Sequence, residues 1–229
     1  MEHVLDNMIW NAIITGNTDI AVINGNVGAY HQDIAPFAGV REWNEKNINA
    51  LYDFLPATRA VAITYLNTVS LDENKWSTLR RMDVTQMVYT NSVASFTTDN
   101  SKLIVPLTEE HVPQMLELTD LTRPGPFLQR TILFGNYFGI FIDGKLVAMA
   151  GQRMHPVPYM EVSAVCTHPD FRGYGYAKAV MLHVMDIIIK NSFLPFLHVL
   201  SDNYNAIELY KSIGFSVRTT LQIDVIKKV

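Results

Sequence analysis

Several things are scarce or missing in this sequence, and each absence removes a class of explanation. Cys166 is the only cysteine among 229 residues. That excludes an intramolecular disulfide framework and suits a reducing compartment, so a cytoplasmic location is expected. No stretch approaches the roughly 20 uncharged apolar residues that cross a bilayer, and no membrane association is expected. The opening residues, MEHVLDNMIWNA, include early acidic side chains and lack a basic lead-in, so they do not read as a secretion signal. Basic residues are not in excess: 18 Lys and Arg stand against 22 Asp and Glu, a net charge of −4. A nucleic-acid binder would carry a basic stripe, and no nucleic-acid partner is expected. The seven histidines and one cysteine show no ligand spacing such as H-x-x-x-H, so no metal is expected. There is no repeat at a fixed period and no low-complexity tract.

What is present is the material of a folded core. Apolar residues make up 48% and charged residues 17%, which argues against global disorder. Charge is uneven along the chain: residues 1–100 hold 6 basic and 11 acidic side chains, residues 101–229 hold 12 and 11. The acidic first half is either a solvated surface or an attraction for a cationic substrate.

Periodicity and breakers suggest the elements. A helix is expected over 3–14, with Leu5, Met8, Ile9, Ala12 and Ile13 on one face and Gly16 beyond it. Residues 20–30 read as a hairpin turning at Asn24-Gly25. A helix follows at about 44–54, then a strand at 59–69 and a mixed helix-then-strand segment at 76–90. The polar run TTDNS, 97–101, is the natural cut between a region 1–96 and a region 102–229. After it come a strand (102–107), a helix capped by Thr108 (109–119), the irregular TRPGPF (122–127) and a short helix (128–135). A hairpin then turns on Asp143-Gly144 (137–154). The last part reads strand (159–168), helix (175–190), strand (193–202), helix (205–215) and strand (217–226). This is a mixed α/β layout.

The stretch PDFRGYGYAKAV, 169–180, places two glycines between a strand end and a helix. A Walker loop would need Lys followed by Ser or Thr, but Ala179 follows Lys178. A dinucleotide fingerprint would need a third glycine where Lys178 stands, and an acidic residue about 20 positions later; Asn191 to Phe193 offers none. What remains is either a simple tight turn or backbone N–H groups at a helix N-terminus that receive a phosphate.

RGYGYA (172–177) resembles the acyl-coenzyme A loop, (Q/R)-x-x-G-x-(G/A), of the GNAT N-acyltransferase superfamily. NYNAIELYKSIGF (203–215) resembles that family's second hallmark, N-x-x-A-x-x-L-Y-x-x-x-G-F. The resemblance covers about 102–229. It implies a GNAT-like central mixed β-sheet flanked by helices, with 1–96 as an extra N-terminal α/β region, conceivably a degenerate copy of the same fold. It implies an N-acetyltransferase that uses acetyl-CoA (acyl-CoA) as co-substrate and moves the acyl group to a primary amine by direct attack in a ternary complex. The acceptor would be a small-molecule or peptide amine.

The resemblance also assigns residues. Val165, Cys166 and Thr167 should pair with the pantetheine arm beside a bulge that splays the strand, with one N–H, that of Val165, for the oxyanion. Arg172, Gly173, Tyr174, Gly175, Tyr176 and Ala177 should receive the pyrophosphate, mostly through main-chain N–H groups. Tyr210 matches the general acid for the departing thiolate. Its other reading is a tyrosine packed against the sheet. Asn203 matches a cofactor contact or caps a helix. Glu161 matches the general-base glutamate of histone-type members, or is a charge on the solvent side of its strand. His155, His168 and His198 are alternative bases by chemistry, each otherwise structural, and water can carry the proton instead. Arg123, Phe127 and Arg130 fall in or near the loop that shapes the acceptor pocket, where an arginine would suit a carboxylate. Cys166 reads as a buried small residue rather than an acyl relay, since no base neighbours it. The rival functions are a silent acyl-CoA-binding regulatory module, a longer-acyl amino-acid N-acyltransferase, and an interaction scaffold.

Overall fold

The computed structural model describes residues 3–91 and 96–229. Residues 1–2 and 92–95, which the expected N-terminal region includes, lie outside the described residues. In the first half, a 3-10 turn runs into helix α1, Met8–Ile14, and the hairpin β1 (Ala21–Asn24) to β2 (Val27–Tyr30) follows. Gly25 at its turn takes φ of 60°, the left-handed conformation that Asn-Gly turns need. A short third strand, β3 (Ala38–Val40), completes a small sheet in the order β1-β2-β3. Helix α2, Glu45–Phe54, starts where the Asn44 side chain accepts a bond from the Asn47 N–H at 2.9 Å. Strands β4 (Val61–Tyr65) and β5 (Trp76–Tyr89) end this half.

In the second half, β6 (Ile104–Pro106), α3 (Val112–Thr122), β7 (Tyr137–Ile142), β8 (Lys145–Gln152) and β9 (Tyr159–Thr167) precede α4 (Tyr176–Lys190). Then come β10 (Leu194–Leu200), α5 (Tyr204–Ser212) and β11 (Phe215–Lys228). The large sheet has eight strands in the order β4-β11-β5-β10-β9-β8-β7-β6. All its pairings are antiparallel except β9 with β10. The mixed sheet flanked by helices is the expected fold class.

Strand alternation sends neighbouring residues to opposite faces of this sheet. Met87, Ala150 and Leu197 meet α4, whose Val180, Met181, Val184, Met185 and Ile188 recur at helical spacing and are all buried. Val84 and Phe196 face the other way, onto Leu5, Met8, Ile9, Ala12 and Ile13 of the N-terminal helical segment. Met149 and Cys166 lie under Val112, Met115 and Leu118 of α3. The sheet is therefore covered on both faces, by helices from both halves of the chain.

One element differs from expectation. Residues 76–89 are strand throughout, without a helical first part. The segment lies between β10 and β11 and pairs with both, with β11 along almost its whole length. Ladder bonds on both sides outweigh the weak local preference of STLRR for a helix. The first half thus contributes a central strand to the second half's sheet.

Asp224 fastens this junction. Fully buried in β11, it accepts Arg81 Nε at 2.8 Å and Nη2 at 2.7 Å from β5, and the Tyr65 hydroxyl at 2.6 Å from β4. Burial works against its charge, but Arg81 and Tyr65 more than offset that and hold the carboxyl below its usual range. The stability this adds is present above the unfolded value near about 3.9 and is lost as pH falls through it. Asp224→Ala should lower unfolding free energy by about 2 kcal/mol at pH 7, read from urea titrations. The gap from the native sequence should shrink below about pH 4.

Candidate functional site

The parallel pairing of β9 with β10 is also the shorter of the two ladders that β10 makes among the described residues. β9 and β10 are in register only from Tyr159, Met160 and Glu161 against Leu194, Pro195 and Phe196. Beyond that point β9 carries a bulge: Ser163 to Cys166 stand opposite Gly151 to Met149, one residue more on the β9 side. Ala164 supplies the extra residue with φ of 53°. The two strands diverge from there, and among the described residues β9 keeps ladder pairing only with β8. Val165, Cys166 and Thr167 therefore border an open slot, where an extended ligand can add to the strand edge.

The slot leads to the glycine loop. After a 3-10 turn at Pro169–Phe171, Gly173 and Gly175 take φ of 86° and 79°. A Cβ at Gly173 would meet nothing within 4 Å, and one at Gly175 only the Asn100 side chain at 3.6 Å. Conformation rather than space demands these glycines. Gly175 is the N-cap of α4 and brings no side-chain cap, so the first-turn N–H groups of a 15-residue helix face outward at its positive end. Arg172 is exposed beside them, and the rings of Tyr174 and Tyr176 stack 5.6 Å apart. Asn100 donates to the Tyr174 carbonyl at 2.8 Å and so ties the 97–101 linker to this loop. Nothing in the sequence marked Asn100 for that role.

Across the slot stands Tyr210 on α5, its ring packed near Phe215. Burial first, and then the nearby Cys166 sulfur, push its hydroxyl up to about 12. It stays protonated at neutral pH and can donate. Burial likewise lifts the Cys166 thiol to about 11, which leaves a small inert side chain, as its sequence context indicated. Asn203 caps α5 by accepting the Ala206 N–H at 3.2 Å. Its amide nitrogen has no partner among the described residues.

The general-base role expected of Glu161 does not fit its surroundings. Glu161 is fully buried at the closed end of the slot, where β9 and β10 still pair. Its two oxygens accept Arg153 Nε and Nη2, each at 2.7 Å, and His198 Nδ1 lies 2.8 Å from one of them. Burial alone would raise this carboxyl; Arg153 and His198 overcome it and hold it far below the usual carboxylate range. Such a group takes up no proton near neutrality. Two of the three histidines are also engaged, whereas the buried Nε2 of His155 has no partner among the described residues. His198 meets Gln86 at 3.0 Å on its other nitrogen. His168 contacts Lys145 Nζ at 2.8 Å and accepts the Asp170 N–H at 3.3 Å. His155 packs edge-on to Phe193.

A narrow crevice opens beside the bulge, walled by the 124–127 loop, Tyr137, Arg153, Ser163 and Ala164. Phe127 lies there, edge-on to Tyr137 at 5.6 Å. Arg123 is the left-handed C-cap of α3 and is not on the crevice walls. Arg130 is not brought to the crevice either: it pairs with Asp33 at 2.9 Å on the surface. The arginine that does reach it is Arg153. A lone cation in the apolar run LVAMAGQRM, 146–154, was the signal that could have revealed it.

The chain matches the family model described as the acetyltransferase (GNAT) family over residues 106–215. No curated protein matches it. Among solved structures, a putative GNAT-family acetyltransferase from Novosphingobium aromaticivorans is 31% identical, covers 100% of both chains and superposes with a TM-score of 0.91. A GCN5-related N-acetyltransferase from Kribbella flavida shares the fold at 12% identity, with 95% of each chain covered and a TM-score of 0.58. A GNAT-family acetyltransferase from Colwellia psychrerythraea does so at 15% identity over 73% of this chain and 65% of its own, with a TM-score of 0.52.

The charge cluster can be tested with no substrate at all. Glu161→Gln leaves Arg153 buried without its counter-charge and should cost about 3 kcal/mol or more at pH 7 in urea unfolding. Because the folded carboxyl is depressed, its contribution holds above the unfolded value and fades as pH falls. The variant should therefore lose stability less steeply than the native chain between about pH 5 and pH 3.

Proposed function

The chain belongs to the GNAT family of acetyltransferases, and from that membership we propose that it moves an acetyl group from acetyl-CoA to a primary amine. The observation that carries the reading is the slot between β9 and β10, which runs directly into the glycine loop at the N-terminus of α4.

In this reading the edge of β9 at Val165, Cys166 and Thr167 bonds the pantetheine arm as an added strand. Residues 172–177 receive the pyrophosphate through main-chain N–H groups, helped by the dipole of α4 and by exposed Arg172. The Val165 N–H stabilises the oxyanion that forms as the amine nitrogen attacks the thioester carbonyl. A C–N bond forms, the C–S bond breaks, and Tyr210 gives its proton to the departing thiolate. The ammonium proton leaves through water, because Glu161, His168 and His198 are held in other contacts and His155 does not line the crevice beside the bulge. Direct attack is favoured over a cysteine relay: a thiol lifted to about 11 by burial is a poor nucleophile. Asn203 offers its spare amide nitrogen to the cofactor from the start of α5. The single buried cysteine suits a reducing, cytoplasmic setting.

Acetyl-CoA at millimolar concentration should raise the melting temperature, and an absence of any shift with any acyl-CoA would remove the proposal. Tyr210→Phe should keep that shift and lower kcat about 100-fold, measured by thiol release. Unchanged turnover would instead leave Tyr210 as a packing residue. Gly175→Ala should weaken coenzyme A binding more than Tyr174→Ala, since only the former forces a side chain into the left-handed region.

A further inference from the structure

Two polar groups in the crevice beside the slot have no partner. Arg153 is the only charged residue on its walls, and none of the walls is acidic. Two of its nitrogens, Nε and Nη2, are committed to Glu161. The third, Nη1, has no protein acceptor among the described residues and lies 3.8 Å from where a Cβ on Gly125 would stand. Glycine in the loop leaves that nitrogen uncovered. The guanidinium also lies over the Phe37 ring, 5.1 Å from its centroid, which helps to hold it in place. The second group is the Tyr137 hydroxyl, buried and without a partner among the described residues. Tyr137 is near enough to Arg153 and Glu161 for both charges to act on its ionisation.

Buried donors without acceptors are unfavourable, and native structures pair them with protein, water or ligand. Here the Tyr137 hydroxyl is such a donor, Arg153 Nη1 beside the same crevice is without a protein acceptor though not sealed from solvent, and among the described residues no wall residue offers a carboxylate to either. A group with several oxygen lone pairs would satisfy both at once, and a planar guanidinium edge is suited to a carboxylate. Ser163 and Ala164 belong both to the crevice and to the bulge that opens the slot, so a ligand seated here abuts the reacting centre. We propose that this crevice receives the carboxylate of the acceptor, which makes the substrate class amines with a carboxylate a few bonds away, amino acids foremost. This rests on the acyltransfer reading above and narrows its acceptor. The arginine concerned is Arg153; Arg123 is not on the crevice walls, and Arg130 pairs with Asp33.

The test compares amino acids with their own C-terminal amides and with simple alkyl amines, using acetyl-CoA and free-thiol release. The native protein should show a KM at least ten-fold lower for the acid than for the amide. Tyr137→Phe should raise KM for the acid by about ten-fold and leave the amide unchanged, with kcat for both little altered. Arg153→Lys should do the same more strongly, but it also disturbs Glu161, so Tyr137→Phe carries the decision if the lysine variant fails to fold. Equal KM values for acid and amide, or an equal loss on both in Tyr137→Phe, would overturn the inference while leaving acyl transfer standing. Thiol release with no amine of any kind would overturn the acyltransfer reading and this inference together.

Discussion

A row of polar side chains crosses the large sheet at right angles to its strands, and the slot depends on it. Arg153, just past β8, holds Glu161 on β9; Glu161 meets His198 on β10; His198 meets Gln86 on β5; and Arg218 on β11 donates to Gln86 at 2.9 Å. Five neighbouring strands are thereby linked by side chains at one level. Isolated charges at that depth would be prohibitive, so each member relies on the next. The row runs where β9 and β10 are still paired, one turn of pleat before the bulge at Ala164. It holds the closed end of a wedge. Without a pinned end, strands that diverge would shear or close, and no slot of fixed width would exist between them.

This requirement explains why Glu161 reads so differently in sequence and in structure. Its position, five residues before Cys166 and next to the bulge, suits a base in the aligned strand. Its partners decide otherwise. His198 comes from a strand that the linear sequence does not place beside it, and a carboxylate with a bidentate guanidinium trades basicity for rigidity. Gly173, Gly175 and Gly25 were legible because their demand is local: each needs a positive φ that its own neighbours create. The helix α4 was legible for the same reason, through the spacing of its apolar residues. Strand β5 was not, because a central position between β10 and β11 is set by pairing partners more than a hundred residues away. Gln86 and Asn100 share that condition, since each gains its meaning only from residues distant in the chain.

The first half of the chain also meets the slot at both of its ends. At the closed end, Gln86 donates to the Leu5 carbonyl at 3.1 Å, and Arg218 pairs with Asp6 in the same N-terminal segment. Phe37, from the small sheet's neighbourhood, lies against the Arg153 guanidinium. At the open end, Asn100 holds the Tyr174 carbonyl in the glycine loop. A bond at each end fixes two different quantities: the polar row sets where divergence begins, and Asn100 sets where the loop stands relative to the N-terminus of α4. The loop's glycines allow a left-handed path but do not select one, because Gly173 has open space around it. Selection therefore comes from the tether, and the tether belongs to the linker that follows β5. Residues far from the family's two motifs thus govern how the glycine loop stands relative to the edge of β9, which is the dimension that the proposed thioester must match.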